Sequence, residues 1–180
     1  ALAVGDNIEY QLVERNKEYV ITAKARLQAM NVYGAWEAVI TGKKLAGLRY
    51  EPLFKIPEVL RQPGGEKAFR VYEADFVTTE EGTGIVHTAV IYGEDDYALG
   101  IKVGLPVVPL LDEKGHFNEQ APKLIRGEYF KKSEKAIITD LTSRGLIFES
   151  HPYTHSYPHC WRCSTALFYN AIPAWFVNIQ

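Results

Sequence analysis

Three things are scarce in this sequence, and each scarcity removes a class of function. Only two cysteines occur in 180 residues, Cys160 and Cys163, so no disulfide framework staples the fold, and a cytosolic (cytoplasmic) origin is expected. Apolar runs are short and broken by charge or proline, so no membrane span and no membrane partner are expected. Charge of either sign is not in excess: 20 basic and 22 acidic residues leave a net charge of −2. No large basic face follows, and any nucleic-acid partner is not expected to be held mainly by charge. A secretory signal is missing too, and the chain opens Ala1-Leu-Ala-Val4 rather than on methionine, which predicts a piece of something longer. Absent as well are a nucleophile elbow, a phosphate loop, a zinc-protease helix and a dinucleotide fingerprint. A hydrolase without these works by positioning water on a bond that is already reactive.

What is present begins with 47 % hydrophobic residues, enough for one real core. Ile8, Tyr10 and Leu12 alternate with Glu9 and Gln11, and Glu18–Thr22 is a second β-rich run, with a hairpin turn at Asn16-Lys17. Ala23 to Met30 reads as a short helix. Glu37–Thr41 is a strand ended by Gly42, residues 48–65 are irregular, and Phe69–Glu73 is again a strand. Glu94, Asp95 and Asp96 complement the positive end of a helix running to Val103 and stopped by Gly104. Pro106–Leu111 and the start at Leu146–Phe148 read as strands. Ser133 to Arg144 reads as a helix, with Ser133 as N-cap, an apolar stripe of Ala136, Ile137 and Leu141, and Gly145 as its stop. The pattern predicts an α+β, β-rich body over residues 1–150 with helices packed around it, and a segment 151–180 that leaves it.

Two stretches carry chemistry. In Gly82-Thr-Gly-Ile-Val-His-Thr-Ala89, followed by Gly93-Glu-Asp-Asp96, one imidazole ends an apolar strand and three carboxylates follow a glycine turn. A lone strand histidine is most often a core residue, and acids at a helix start are most often solvated dipole partners. If one acid turns back toward His87, however, it creates an anionic spot beside a small apolar pocket. Such a site suits a ligand with an ammonium group and a short aliphatic side chain. Thr78, Thr79, Thr83 and Thr88 offer hydroxyls for a water or a ribose; threonine in strands is commonly structural, and Thr83 stands out because two glycines frame it. The second stretch is His155-Ser-Tyr-Pro-His-Cys-Trp-Arg-Cys-Ser164. Cys160 and Cys163 have the spacing of half a structural zinc site, which needs four ligands. His151, His155 or His159 would complete it here, although His159 adjoins Cys160 and neighbouring residues rarely share one ion well. Otherwise the second pair lies outside these residues; a redox pair is the remaining option, without a thioredoxin-like helix around it.

The first stretch resembles the editing (connective peptide) domain inserted in class I isoleucyl-tRNA synthetases, and the second, with Ala174-Trp-Phe176 after it, is similar to the isoleucyl enzymes in particular. Gly47-Leu-Arg-Tyr-Glu-Pro-Leu-Phe54 and Val103-Gly-Leu-Pro106 match as well, so the likeness spans nearly the whole chain. The resemblance implies a barrel-like editing core of the valyl/isoleucyl/leucyl type over 1–150, and a C-terminal segment 151–180 that returns toward the synthetic domain with half of a zinc site. It implies hydrolysis of valine mischarged onto tRNA(Ile), and of valyl-adenylate as a further candidate. One methylene is too little for a synthetic site to reject well, and a second, smaller sieve removes the error, an argument for which the isoleucyl enzymes are themselves the reference case.

By the family pattern Asp96 pairs with the α-ammonium and His87 walls the side-chain pocket, the two catalytic-site candidates. Thr83, Gly84 and Thr88 join them in substrate binding, with the backbone near Thr83 and Gly84 facing the terminal adenosine. No cofactor is implied in the editing site, zinc is implied at Cys160 and Cys163 with its other ligands elsewhere, and the partners are the tRNA(Ile) 3′ end and the rest of the synthetase. The sequence departs from the family where Val90-Ile91 replaces a proline and a small residue, and the family's threonine-rich strand, expected just before Ala1, is not in it. Rival readings are valyl- or leucyl-type editing, a non-catalytic zinc-knuckle or tRNA-docking module, and a metal-dependent hydrolase centred on His87 and Asp96.

Overall fold

The computed structural model describes residues 1–15, 17–34, 36–152, 154, 156–170, 175 and 177–179. Asn16 of the expected hairpin turn, His155 among the candidate zinc donors, and Ala174 and Phe176 of the C-terminal block lie outside the described residues. Six strands form two separate three-stranded sheets. In the first, β1 (Leu2–Val4) is central, parallel to β5 (Val71–Glu73) and antiparallel to β6 (Ile85–His87). In the second, β2 (Glu9–Arg15) lies between β3 (Glu18–Ala23) and β4 (Trp36–Thr41), all antiparallel, with a bulge at Leu12/Val13.

A barrel-like core was the expectation, and it is not confirmed: among the described residues no sheet closes on itself. Strands β1, β5 and β6 are only three residues long, and Gly82 and Gly84 with positive φ turn the chain just before β6. The sheets are instead stitched at single points. Ala23 N–H and the Thr22 hydroxyl both donate to the Thr83 carbonyl, at 2.8 and 2.9 Å.

The apolar Leu2-Ala-Val4 run is buried on both faces because each face meets its own core. Val4 packs with Tyr10, Ala23, Leu45 and Val71, whereas Ala3 packs with Ala74, Val77 and Leu99. Tyr10, fully buried, locks the first of these. Its hydroxyl donates to Gly84 O at 2.6 Å and accepts from Gly5 N–H at 3.0 Å. Tyr10→Phe leaves both backbone groups unpaired in the core, so it is expected to cost about 1–3 kcal/mol. In urea unfolding this reads as a lower midpoint at unchanged slope; an unchanged midpoint removes the locking role.

Among the described residues there are four short helices: α1 (Gly42–Leu45), α2 (Pro57–Arg61), α3 (Glu94–Val103) and α4 (Glu134–Ser143). Helices α3 and α4 lie where expected. Gly104 ends α3 in the left-handed region, φ 73°, and Leu105 N–H reaches back to Gly100 O at 2.8 Å. Ser133 precedes α4 without capping it; its hydroxyl donates to Phe130 O at 2.7 Å, closing the preceding 3₁₀ turn instead.

Other expectations fail for visible reasons. Ala23–Met30 forms only a 3₁₀ turn at Lys24–Arg26 and further turns, which leave Leu27, Met30 and Val32 covering Val13. Within the irregular stretch Pro57 starts α2, a place where its missing N–H costs nothing. Pro106–Leu111 is not a strand, since Pro106 and Pro109 bring no N–H, and the Tyr92 hydroxyl accepts from Leu110 and Leu111 N–H at 2.9 and 3.1 Å. Leu146–Phe148 is not a strand either. The residues after 151, expected to leave the body, still touch it. The Phe168 ring lies 5.5 Å from that of Phe130, and Lys131 Nζ sits 3.8 Å above the Tyr157 ring.

Candidate functional site

Register places the site. Leu2 sits between Val71 on one side and His87 on the other, so the imidazole ends the edge strand beside the start of β1. The ladder runs one residue further, Thr88 N–H to Ala1 O at 2.8 Å and Ala1 N to Thr88 O at 3.0 Å. From the other direction, α3 is seated by Leu99 against Ala3. Asp96 lies three residues before Leu99, on the same side of the helix. Its carboxylate therefore folds back over Gly93 and accepts from Ala89 N–H. A Cβ at Gly93 would come within 2.6 Å of the Asp96 Oδ2, so only glycine leaves this carboxylate its position.

Burial acts on both groups, in opposite directions. For His87 burial lowers the pKa, which favours the neutral ring. For Asp96 burial raises the pKa, opposed by the Ala89 hydrogen bond and aided by Asp95.

Beside them opens a cleft of about 170 Å³, walled on one side by His87 to Tyr92 and on the other by Tyr50, Ile56, Val59, Phe69 and Leu105. Thr88 is 2 % exposed, lines this cleft, and its hydroxyl has no hydrogen-bond partner among the described residues. A buried hydroxyl without a partner costs stability and is free for a ligand. Tyr50 and Phe69 meet edge-to-face, ring centroids 6.1 Å apart at 89°. Phe69 holds φ 56°, unusual for a bulky residue, pinned by Tyr50 N–H donating to its carbonyl at 3.0 Å. Strain of this kind, about 1–3 kcal/mol, is typical of functional walls. Sequence reading missed this aromatic pair, and no local signal marks it.

The sequence candidates thus divide. His87 and Thr88 line the cleft and Asp96 bonds to the Ala89 N–H of its wall, whereas Thr83 and Gly84 do not line it. The Thr83 hydroxyl is engaged with Ile85 as donor and acceptor, at 3.0 and 3.1 Å, and its carbonyl with Ala23 and Thr22. Gly84 is buried at φ 72°, where a Cβ would stand 2.5 Å from that of Ala23, and its carbonyl takes the Tyr10 hydroxyl. These two residues join the sheets, and the structure gives them this role in place of contact with the cleft.

No family model matches the chain. Among curated proteins it is 42 % identical over 183 residues to the isoleucine–tRNA ligase of Clostridium tetani, covering 99 % of this chain and 17 % of that protein. It is 38 % identical over 192 residues to the isoleucine–tRNA ligase of Treponema pallidum, covering 100 % of this chain and again 17 % of the relative. The chain belongs with the isoleucine–tRNA ligases. It spans 17 % of the length of these relatives. Among solved structures, GlLeuRS-CP1 superposes with a TM-score of 0.59 at 16 % identity, covering 84 % of this chain and 77 % of that one, which establishes the shared fold.

Two features of this ligase segment sharpen the site. Val90 and Ile91 line the cleft within a turn closed by Tyr92 N–H to Ala89 O at 2.8 Å. Val90 seats against Gly100 of α3, where a Cβ would lie 2.5 Å from its Cγ1. Away from the cleft, Cys160 and Cys163 occupy a tight knuckle, with Cys160 N–H to Thr165 O at 2.8 Å and Ser164 N–H to Cys160 O at 2.9 Å. Cys163 donates to the Thr165 hydroxyl at 3.2 Å, and hydrogen bonds from Thr165 and Cys160 lower its pKa. Two thiols this close suit a thiophilic ion such as zinc, and they supply half of a tetrahedral set. Among the described residues no group of three metal-binding side chains forms. His159 turns its Nδ1 to Tyr157 O at 2.9 Å and His151 pairs with Glu149 at 2.9 Å. No helix among the described residues is long and apolar enough to cross a membrane.

Proposed function

We propose that this segment is the post-transfer editing domain of an isoleucine–tRNA ligase and hydrolyses valine esterified to the 3′ end of tRNA(Ile), with valyl-adenylate as a second substrate. The observation that supports the reading is a small apolar cleft lined by His87 and Thr88, with the Asp96 carboxylate bonded to the Ala89 N–H of its wall. An aminoacyl ester brings an α-ammonium, an aliphatic side chain and a ribose with a free hydroxyl. Asp96 receives the ammonium in a charge-assisted contact. The apolar wall takes the side chain, and neutral His87 bounds it without repelling the cation. The Thr88 hydroxyl is free to hold the attacking water or the ribose.

Chemistry asks little more of the protein. Water adds to the ester carbonyl, the bond from that carbon to the ribose oxygen breaks, and the oxygen takes a proton, releasing valine and tRNA. An ester already this labile needs orientation rather than a protein nucleophile. Cavity size by itself does not separate valine from isoleucine. An engineered cavity of about 150 Å³ holds benzene, so 170 Å³ admits either side chain. Selection therefore rests on the local shape at His87. In the same reading Cys160 and Cys163 hold zinc with ligands supplied elsewhere in the ligase, as a structural site, and the ligase works in the cytoplasm.

Grafting the chain in place of the matching segment of the Clostridium tetani ligase tests the reading. The chimera, checked for intact isoleucine activation, is expected to deacylate valyl-tRNA(Ile) and spare isoleucyl-tRNA(Ile). A chimera that activates isoleucine normally and leaves valyl-tRNA(Ile) intact overturns it.

A further inference from the structure

At the 51–55 loop and along α4, three grooves of about 400, 500 and 340 Å³ share lining residues. The first shares Leu124 and Asp140 with the second, and the second shares Lys132, Lys135 and Thr139 with the third. Together they form a trough along α4 whose charged side chains are unevenly distributed. Lys55, Lys123, Lys131, Lys132 and Lys135 line it, against Glu51 and Glu134, while Asp140 is neutralised by Arg144 at 2.7 Å. No carboxylate pairs with Lys55, Lys123, Lys132 or Lys135 among the described residues.

The trough is also anchored. Arg144 Nη1 donates to Leu53 O at 2.9 Å and its guanidinium lies 5.1 Å from the centre of the Phe54 ring, so α4 and the 51–55 loop are held together. Tyr50 and Ile56, which flank that loop in sequence, line the cleft. The cationic track therefore starts one loop away from the place where the ester is received.

We propose that this trough binds the phosphate backbone of the tRNA strand that leads into the cleft. The proposal rests on the reading of the cleft as an aminoacyl-tRNA site. An unpaired row of ammonium groups in a chain of net charge −2 is a local, directed field rather than a general basic surface. Lysines present point charges to phosphates without reading sequence, which suits a strand that needs only to be guided. With its single-stranded 3′ end, tRNA presents such a row of phosphates.

The test uses the full 180-residue chain and deacylated tRNA(Ile), with affinity measured across a salt series. Each phosphate contact on a single strand contributes about −0.7 to the slope of log K against log salt. K132Q/K135Q, with an unchanged melting temperature, is expected to make the slope shallower by about 1.4, so that its loss of affinity is roughly 25-fold greater at 0.1 M than at 1 M salt. K43Q/K44Q on α1, outside the trough, is expected to leave the slope unchanged. Hydrolysis of 2′(3′)-O-valyladenosine, too short to reach the trough, is expected to be the same in K132Q/K135Q and the parent. Should the editing reading fail, neither protein cleaves that ester, yet the salt series still judges the trough. A wild-type slope in K132Q/K135Q overturns the proposal, and so does an equal change in K43Q/K44Q. Loss of polyglutamate binding in K132Q/K135Q with tRNA binding intact assigns the trough to an acidic peptide instead and overturns it too.

Discussion

Asp96→Asn is expected to reduce hydrolysis of valyl-tRNA(Ile) about a hundredfold, measured as kcat/KM in the chimeric ligase. Losing a charge-assisted contact to an ammonium costs about 1.5–3 kcal/mol, and each 1.36 kcal/mol is tenfold. Asparagine keeps an oxygen for the Ala89 N–H that Asp96 now holds, so the turn lining the cleft survives. Asp96→Ala removes both partners. If alanine is much worse than asparagine, the carboxylate serves the turn more than the ammonium; near-equal losses mark the charge as the essential part. The folded pKa of Asp96 lies above its ordinary value because of burial. Between the two values the folded state binds more protons than the unfolded one, so this carboxyl's contribution to stability declines as pH rises through that window. Asp96→Asn is thus expected to melt no lower than the parent at neutral pH while failing in hydrolysis. A functional residue that destabilises its own fold behaves in this way. A lower melting temperature instead assigns Asp96 to structure.

The second large effect concerns selection. His87→Ala is expected to make correctly charged isoleucyl-tRNA(Ile) a substrate, because the cleft volume already admits isoleucine and the imidazole lines it at the end of β6. One methylene in an apolar pocket is worth about 1–3 kcal/mol, or 10–200-fold. The ratio of valyl to isoleucyl hydrolysis is expected to fall by that order, with valyl hydrolysis largely kept. Stability tells the two roles of the ring apart. His87 has its pKa lowered by burial, so between that value and its ordinary one the unfolded chain binds more protons, and stability rises with pH across that window. Loss of this rise in His87→Ala, without a change in selectivity, leaves the ring a structural residue and refers selection to Val90 and Ile91.

How far the sequence carries depends on whether the information is local. Helices α3 and α4 were legible because their signals, acids in the first turn and a glycine after the last, lie within a dozen residues. The β2–β3 pairing was legible from alternation. The strand read into Pro106–Leu111 failed because its backbone partner is the Tyr92 hydroxyl, a side chain 18 residues away. The layout of the first sheet was not legible for a related reason: its three strands pair from distant parts of the chain, and nothing local reveals how short they are. Thr83 shows what its glycines do signal. Two flanking glycines did mark a close backbone approach, and the approaching group is the neighbouring sheet at Ala23 and Thr22. His87 and Asp96 were found by residue type and spacing, whereas Tyr50 and Phe69 needed coordinates, since a left-handed Phe69 has no sequence signature.

The most direct measurement is binding of a non-hydrolysable valyl-adenosine amide to the 180-residue chain, followed residue by residue in its NMR amide spectrum. Shifts confined to Tyr50, Phe69 and His87–Tyr92, abolished in Asp96→Asn and absent with the analogue that lacks the α-amino group, are the predicted result. Equal binding of that deaminated analogue, or shifts centred away from the His87–Asp96 cleft, contradicts the account.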